Sequence, residues 1–140
     1  MIILDTNTIS EPTKPTPDQR VMQWMGNQAV ETLFLAATSL AEIHVGVESL
    51  PKGKRKDILR ADTAKLLDRA FGPRILPFDE AAALAYGSLI PNLRSKGLTP
   101  SFGDGQIAAI ALVHGFTVAT RDTAPFRAAG LKVINPWLAP

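Results

Sequence analysis

Asp5, Glu42, Asp104 and Asp122 are the residues of this sequence best placed to do chemistry. Asp5 ends the apolar run Ile2-Ile3-Leu4, Glu42 lies one turn beyond the run Thr32–Ala36, and Asp122 stands shortly after Phe116–Ala119. Open parallel sheets bind ligands beyond the carboxyl ends of their strands, so acids just after strands carry extra weight. Asp104 opens the stretch that leads into the fourth strand, so its place beside the others has to come from the fold. Four carboxylates in one cleft repel one another, and a divalent cation removes the conflict. With no cysteine and only two histidines, the donors on offer are oxygens, a set that suits Mg²⁺ or Mn²⁺ with part of their water retained. Such ions lower the pKa of water and stabilise charge on a phosphodiester, so phosphate-ester hydrolysis is the chemistry that fits.

Each acid also has a purely structural explanation. Asp5 can turn back on the backbone of Asn7, Asp104 can complement the positive end of its helix, and Asp122 can be a turn or cap residue. Ser39-Leu40-Ala41-Glu42 has the spacing of a capping box, in which Glu42 would serve the helix start alone. What argues for a site is that, once the fold brings Asp104 to the others, one face of the sheet receives all four. Other residues read as structural: Lys52, Lys54, Arg55 and Lys56 as a solvated charged run, His44 and His114 as helix residues, Trp24 and Trp137 as core or dimer contacts.

The elements that must position the acids alternate. Ile2–Leu4 reads as a buried strand, followed by the turn Asp5-Thr6-Asn7 and a stretch broken by Pro12, Pro15 and Pro17. Thr16-Pro17-Asp18-Gln19 signals a helix start, with Thr16 as N-cap, and the helix runs through Val21, Trp24 and Met25. Thr32–Ala36 is a second strand, and Ser39 opens a helix that must stop before Pro51. Lys54–Phe71 is helical and closed by Gly72-Pro73, Arg74–Phe78 is a third strand, and Asp79 caps a helix from Glu80 towards Lys96. Thr99–Gly103 reads as a loop and Asp104 begins an apolar helix ending at His114-Gly115. Phe116–Ala119, Thr123–Ala129 and Lys132–Ile134 complete the pattern as strand, helix and strand. Uninterrupted apolar strands alternating with helices predict an α/β fold whose sheet is covered on both faces.

The 140 residues suit one compact domain, taken as 1–140, and the 46% apolar share supports a core. The longest apolar run, Ile107–Val113, is far short of the roughly 20 residues that span a bilayer, and Asp5 arrives too early for a signal-peptide core. The expectation is a cytoplasmic protein without a membrane partner. Formal charge is only +2, but setting the four acids aside leaves the remaining surface clearly basic. Such a surface attracts a polyanion while the acid cleft attracts cations.

In order and spacing, Ile2-Ile3-Leu4-Asp5-Thr6-Asn7, Thr38-Ser39-Leu40-Ala41-Glu42-Ile43, Asp104-Gly105-Gln106-Ile107-Ala108-Ala109-Ile110-Ala111 and Val118-Ala119-Thr120-Arg121-Asp122 resemble the motifs of PIN domains, specifically the VapC/FitB-type toxins. His114-Gly115 and Asn135-Pro136-Trp137 extend the likeness over nearly the whole chain. The resemblance implies a three-layer α/β/α domain with a mostly parallel sheet of about five strands. It implies a ribonuclease in which Asp5, Glu42, Asp104 and Asp122 bind Mg²⁺ or Mn²⁺, with Thr6, Asn7, Ser39 and Thr120 as supporting polar residues at the rim. It further implies an RNA substrate, a homodimer, and inhibition by a small cognate antitoxin whose C-terminal segment enters the cleft, with larger toxin–antitoxin assemblies on the same basis. Two positions depart from the pattern: Pro125 precedes Phe126 where an acidic or histidine residue is frequent, and Gly105 follows Asp104 where alanine is frequent.

Two other readings compete. Asp5-Thr6-Asn7-Thr8 is similar to the Asp-x-Asp-x-Thr pattern of haloacid-dehalogenase phosphatases, with Asn7 in place of the second acid. A catalytically inactive PIN-fold module that binds RNA or protein is the non-enzymatic alternative.

Overall fold

Residue alternation along the strands divides the hydrophobic side chains between two faces. The computed structural model describes residues Met1–Pro140 and contains five strands: β1 (Ile2–Leu4), β2 (Leu33–Ala36), β3 (Ile75–Leu76), β4 (Thr117–Ala119) and β5 (Val133–Ile134). They form one sheet of order β3-β2-β1-β4-β5, and every pairing is parallel rather than mostly so. The register sets Ile3 beside Phe34 and Val118, and Leu4 beside Leu35 and Ala119. Since successive side chains point to opposite faces, Ile3, Ala36 and Val118 fall in one core and Leu4, Leu33, Leu35 and Ala119 in the other.

Seven α-helices cover the two faces: α1 (Thr6–Ser10), α2 (Gln19–Gly26), α3 (Ala37–Glu48), α4 (Lys54–Ala70), α5 (Glu80–Ser95), α6 (Phe102–His114) and α7 (Thr123–Ala128). The Ile3 face is covered by α5, α6 and α7, through Leu89, Leu93, Ile107, Ile110 and Phe126. The Leu4 face is covered by Ile9 of α1, Trp24 and Met25 of α2, Leu40 and Ile43 of α3, and Leu67 of α4. The three-layer α/β/α arrangement follows from apolar strands that need cover on both sides.

Several boundaries differ from those expected from sequence. Residues 6–10 are a short helix rather than a turn, because Asp5 caps it by accepting from the backbone N–H of Thr8. Asp18, not Thr16, caps α2. The helices α3 and α6 each start two residues early, at Ala37 and Phe102, and β3 and β5 are only two residues long. Pro91 lies inside α5 without ending it.

Candidate active site

Asp5 is the first residue past β1 and is almost wholly buried, at 3% exposure. Its backbone N–H donates to Ala119 O at 3.1 Å, which continues the β1–β4 pairing by one residue and sets Asp5 beside Thr120. One carboxylate oxygen, Oδ1, accepts from Thr8 N–H at 2.8 Å, and the other, Oδ2, accepts from Thr120 Oγ1 at 2.6 Å. The Thr120 hydroxyl in turn accepts the Asp122 N–H at 3.1 Å. A carboxylate offers about four acceptor sites, so these two bonds orient Asp5 and leave it capacity for a further electrophile.

Glu42 arrives by a different route. Helix α3 begins directly after β2 with no loop between them, so Glu42 is carried roughly 8 Å past the strand end at 1.5 Å per residue. Ser39 is an interior, fully buried helix residue that accepts from Thr6 Oγ1 at 3.1 Å, and Ala36 is the N-cap. The capping-box reading of Glu42 therefore fails. The exposed carboxylate lies instead over Gly103, where an added Cβ would overlap Glu42 Oε1.

Asp104 reaches the same edge because α6 precedes β4 and runs back across the sheet, which puts its first turn at the carboxyl ends of the strands. Ser101 caps this helix by accepting from Asp104 N–H at 3.1 Å, and Thr38 Oγ1 donates to Gln106 Oε1 at 2.7 Å, tying the start of α3 to the start of α6. Burial raises the Asp104 pKa above the ordinary carboxylate value, the Ser101 side chain opposes that, and the negative charges of Asp5, Glu42 and Asp122 raise it further. Asp104 thus feels all three other acids. The fourth, Asp122, is exposed beside the N-terminus of α7.

The supporting residues separate. Thr120 and Ser39 are buried beneath the acids, not at the rim as expected, because each hydroxyl is engaged in the hydrogen bonds given above. Thr6 is half-buried next to Ser39, and Asn7 is exposed on α1 with no side-chain hydrogen bond to any acid. Three contributors were missed: Thr8, which holds Asp5 and donates from Oγ1 to Ala119 O at 2.9 Å, Gly103, and Gln106. The spacings Asp5-x-x-Thr8 and Ser101-x-x-Asp104 are both N-cap patterns and were the available signals.

Gly105 lies where α5 packs against α6. A Cβ there would stand 2.7 Å from Tyr86 Cε2 and 3.0 Å from Ile90 Cδ1, so glycine lets α5 seat against α6. Pro125 and Phe126 are both buried, and a charged side chain at 125 would have to be desolvated.

None of the protein's five ion pairs involves Asp5, Glu42, Asp104 or Asp122. The four acids are left unneutralised by any cationic side chain. No three His, Cys, Asp or Glu side chains converge tightly enough to form a direct cage. An open, all-oxygen set of this kind fits Mg²⁺ or Mn²⁺, which are bound through one or two carboxylates and otherwise through water.

Residues 2–131 match the family model of the PIN domain. The chain is 46% identical to the VapC ribonuclease Y4jK of Sinorhizobium fredii over 137 residues, 98% of each chain. It is 43% identical to the toxin FitB of Neisseria gonorrhoeae over 137 residues, 98% of this chain and 99% of that one. The crystal structure of FitAcB from Neisseria gonorrhoeae superposes with a TM-score of 0.94 at 43% identity, covering 99% of each chain.

Proposed function

The chain belongs to the PIN-domain family, and from that membership together with the geometry of its acid cleft we propose that it is a metal-dependent ribonuclease acting as the toxin of a toxin–antitoxin pair. The observation that carries the reading is the placement of Asp104, raised in pKa among three other acids that no cationic side chain neutralises. Asp5, Glu42, Asp104 and Asp122 would hold Mg²⁺ or Mn²⁺. When bound, such an ion activates water and offsets the charge that builds on the phosphate oxygens.

The chain's own residues do the positioning. Thr8 and Thr120 fix both Asp5 oxygens, so the carboxylate is preorganised and costs no rearrangement when substrate arrives. Gly103 leaves room for the Glu42 carboxylate over the first turn of α6. Burial and the neighbouring acids make the half-buried Asp104 hold its proton more tightly than an ordinary carboxyl does, and an RNA phosphate entering the cleft adds to the negative charge around it.

A groove of about 190 Å³ leaves the cleft between α1, α3 and α4, lined by Thr6, Ile9, Glu42, Ile43, Val47 and Leu67. It supports an antitoxin whose C-terminal segment reaches the acids, and the same membership supports a homodimer. No helix is long and apolar enough to cross a membrane. The phosphatase alternative loses its basis, since Asn7 stands exposed on α1, tied to none of the acids.

The test is direct. Purified protein should cleave single-stranded RNA in Mg²⁺ or Mn²⁺, stop when EDTA is added and recover when metal is restored. Cleavage that persists in excess EDTA would overturn the metal mechanism.

A further inference from the structure

Arg121 lies between Thr120 and Asp122, two residues of the cleft, yet its guanidinium pairs with neither the neighbouring acid nor any other carboxylate. It lies instead over the indole of Trp137, with Cζ 5.6 Å from the ring centroid. The platform is buried and tied to the cleft strand. Trp137 is 6% exposed, its backbone N–H donates to Asn135 Oδ1 at 3.0 Å, and the segment is attached to the cleft strand by Thr120 N–H donating to Ile134 O at 3.0 Å.

A cation–π approach of this kind engages the face of the ring and spends none of the guanidinium's N–H donors on a carboxylate or carbonyl. Arg20, Arg60 and Arg74 spend their donors on carboxylates or backbone carbonyls, whereas Arg55, Arg69, Arg94 and Arg127 leave theirs unspent but stand over no aromatic ring. Arg121 is exposed and makes no such bond. An exposed arginine drawn against an aromatic ring, with its N–H donors unspent, next to two residues of the acid cleft is placed to bind a phosphate.

Building on the ribonuclease reading above, we propose that Arg121 binds a backbone phosphate of the RNA adjacent to the scissile one, and that Trp137 is the positioning residue that holds it there. The contact lies on the β4–β5 side of the acids, so the strand would leave the cleft away from the groove between α1, α3 and α4.

The experiment uses the full chain, a labelled single-stranded oligoribonucleotide, cleavage kinetics in Mn²⁺, and binding by fluorescence anisotropy in EDTA across a salt series. Arg121→Gln should raise KM about tenfold with kcat nearly unchanged, consistent with a lost charge-assisted contact. It should also flatten the slope of log affinity against log salt by about 0.7, the share of one phosphate on a single strand. Arg121→Lys, which keeps the charge but not the flat fork, should recover the salt slope and only part of KM. Trp137→Phe keeps an aromatic platform and should lie closer to wild type than Trp137→Leu. Arg69→Gln on α4 removes the same charge elsewhere and should change neither readout. If wild type cleaves RNA and Arg121→Gln matches it in KM and salt slope, this proposal is overturned while the ribonuclease reading stands. If wild type neither binds nor cleaves RNA, both fall together.

Discussion

Thr120 Oγ1 donates to Asp5 Oδ2 at 2.6 Å, joining the first strand's acid to a hydroxyl 115 residues later. Thr120→Val keeps the shape and removes the donor, leaving a buried carboxylate oxygen unsatisfied. It should cost about 1–3 kcal/mol of stability and reduce cleavage. Thr120→Ser should retain most of both. Thermal melts and RNA cleavage rates on the three proteins provide the check, and a Thr120→Val protein equal to wild type in both would remove Thr120 from the support of Asp5.

Glu42→Gln separates chemistry from folding. Because Ala36 rather than Ser39 caps the start of α3, Glu42 has no capping duty to lose, and the variant should melt with wild type. Cleavage should fall by more than the roughly 10–100-fold seen when an outer-shell partner of a metal site is lost. Wild-type turnover in a folded Glu42→Gln protein would place Glu42 outside the site.

The two glycines beside Asp104 should fail differently. Gly103→Ala drives a Cβ into Glu42 Oε1, an exposed side chain that can swing away, so the fold should survive while activity drops. Gly105→Ala meets Tyr86 and Ile90 in the packed α5–α6 contact and should cost about 1–3 kcal/mol by overpacking. Shortening Tyr86 to Leu in the Gly105→Ala background should return part of that stability. Loss of activity from Gly105→Ala alone, with unchanged melting, would contradict this division.

Asp104 predicts a pH signature in metal-free protein. Its pKa is raised above 3.8 in the fold, first by burial and then by Asp5, Glu42 and Asp122. The folded chain therefore binds this proton more tightly than the unfolded chain does. Stability is favoured while Asp104 stays protonated and declines as pH rises from 3.8 through the folded value. Asp104→Asn should flatten that decline, and saturating Mn²⁺ should flatten it in wild type by stabilising the ionised form. Melting curves over this range, with and without Mn²⁺, decide the matter: identical pH profiles for mutant and wild type would show that Asp104 does not titrate among the other acids.

The sheet was legible because its strands are unbroken apolar runs. Ile2–Leu4 has the same bounds in sequence and structure, and Thr32–Ala36 differs by one residue. Helix α1 was not legible, since Thr6-Asn7-Thr8-Ile9-Ser10 contains poor helix formers and is held by the Asp5 cap and by burial of Thr8 and Ile9. For the same reason Ser39 resembled a cap. Nothing local reveals that α3 starts two residues earlier, directly on the end of β2. The four acids, and Ser39 and Thr120 beside them, could be picked out by type, motif and position, whereas the burial of those two hydroxyls beneath the acids could not. Thr120 and the Thr8 hydroxyl bond across more than a hundred residues, to Asp5 and to Ala119, and no short motif encodes those contacts.

The parallel seating of β4 against β1 has a further consequence for a chain made from its N-terminus. A fragment ending between Asp104 and Thr117 carries Asp5, Glu42 and Asp104, but lacks the strand β4 that pairs with β1 and the hydroxyl that orients Asp5. Three of the four acids emerge from the ribosome before they can be set in order. The cleft is therefore assembled by the last strands to be synthesised, and a nascent copy is structurally incomplete as a nuclease while most of it has already been translated.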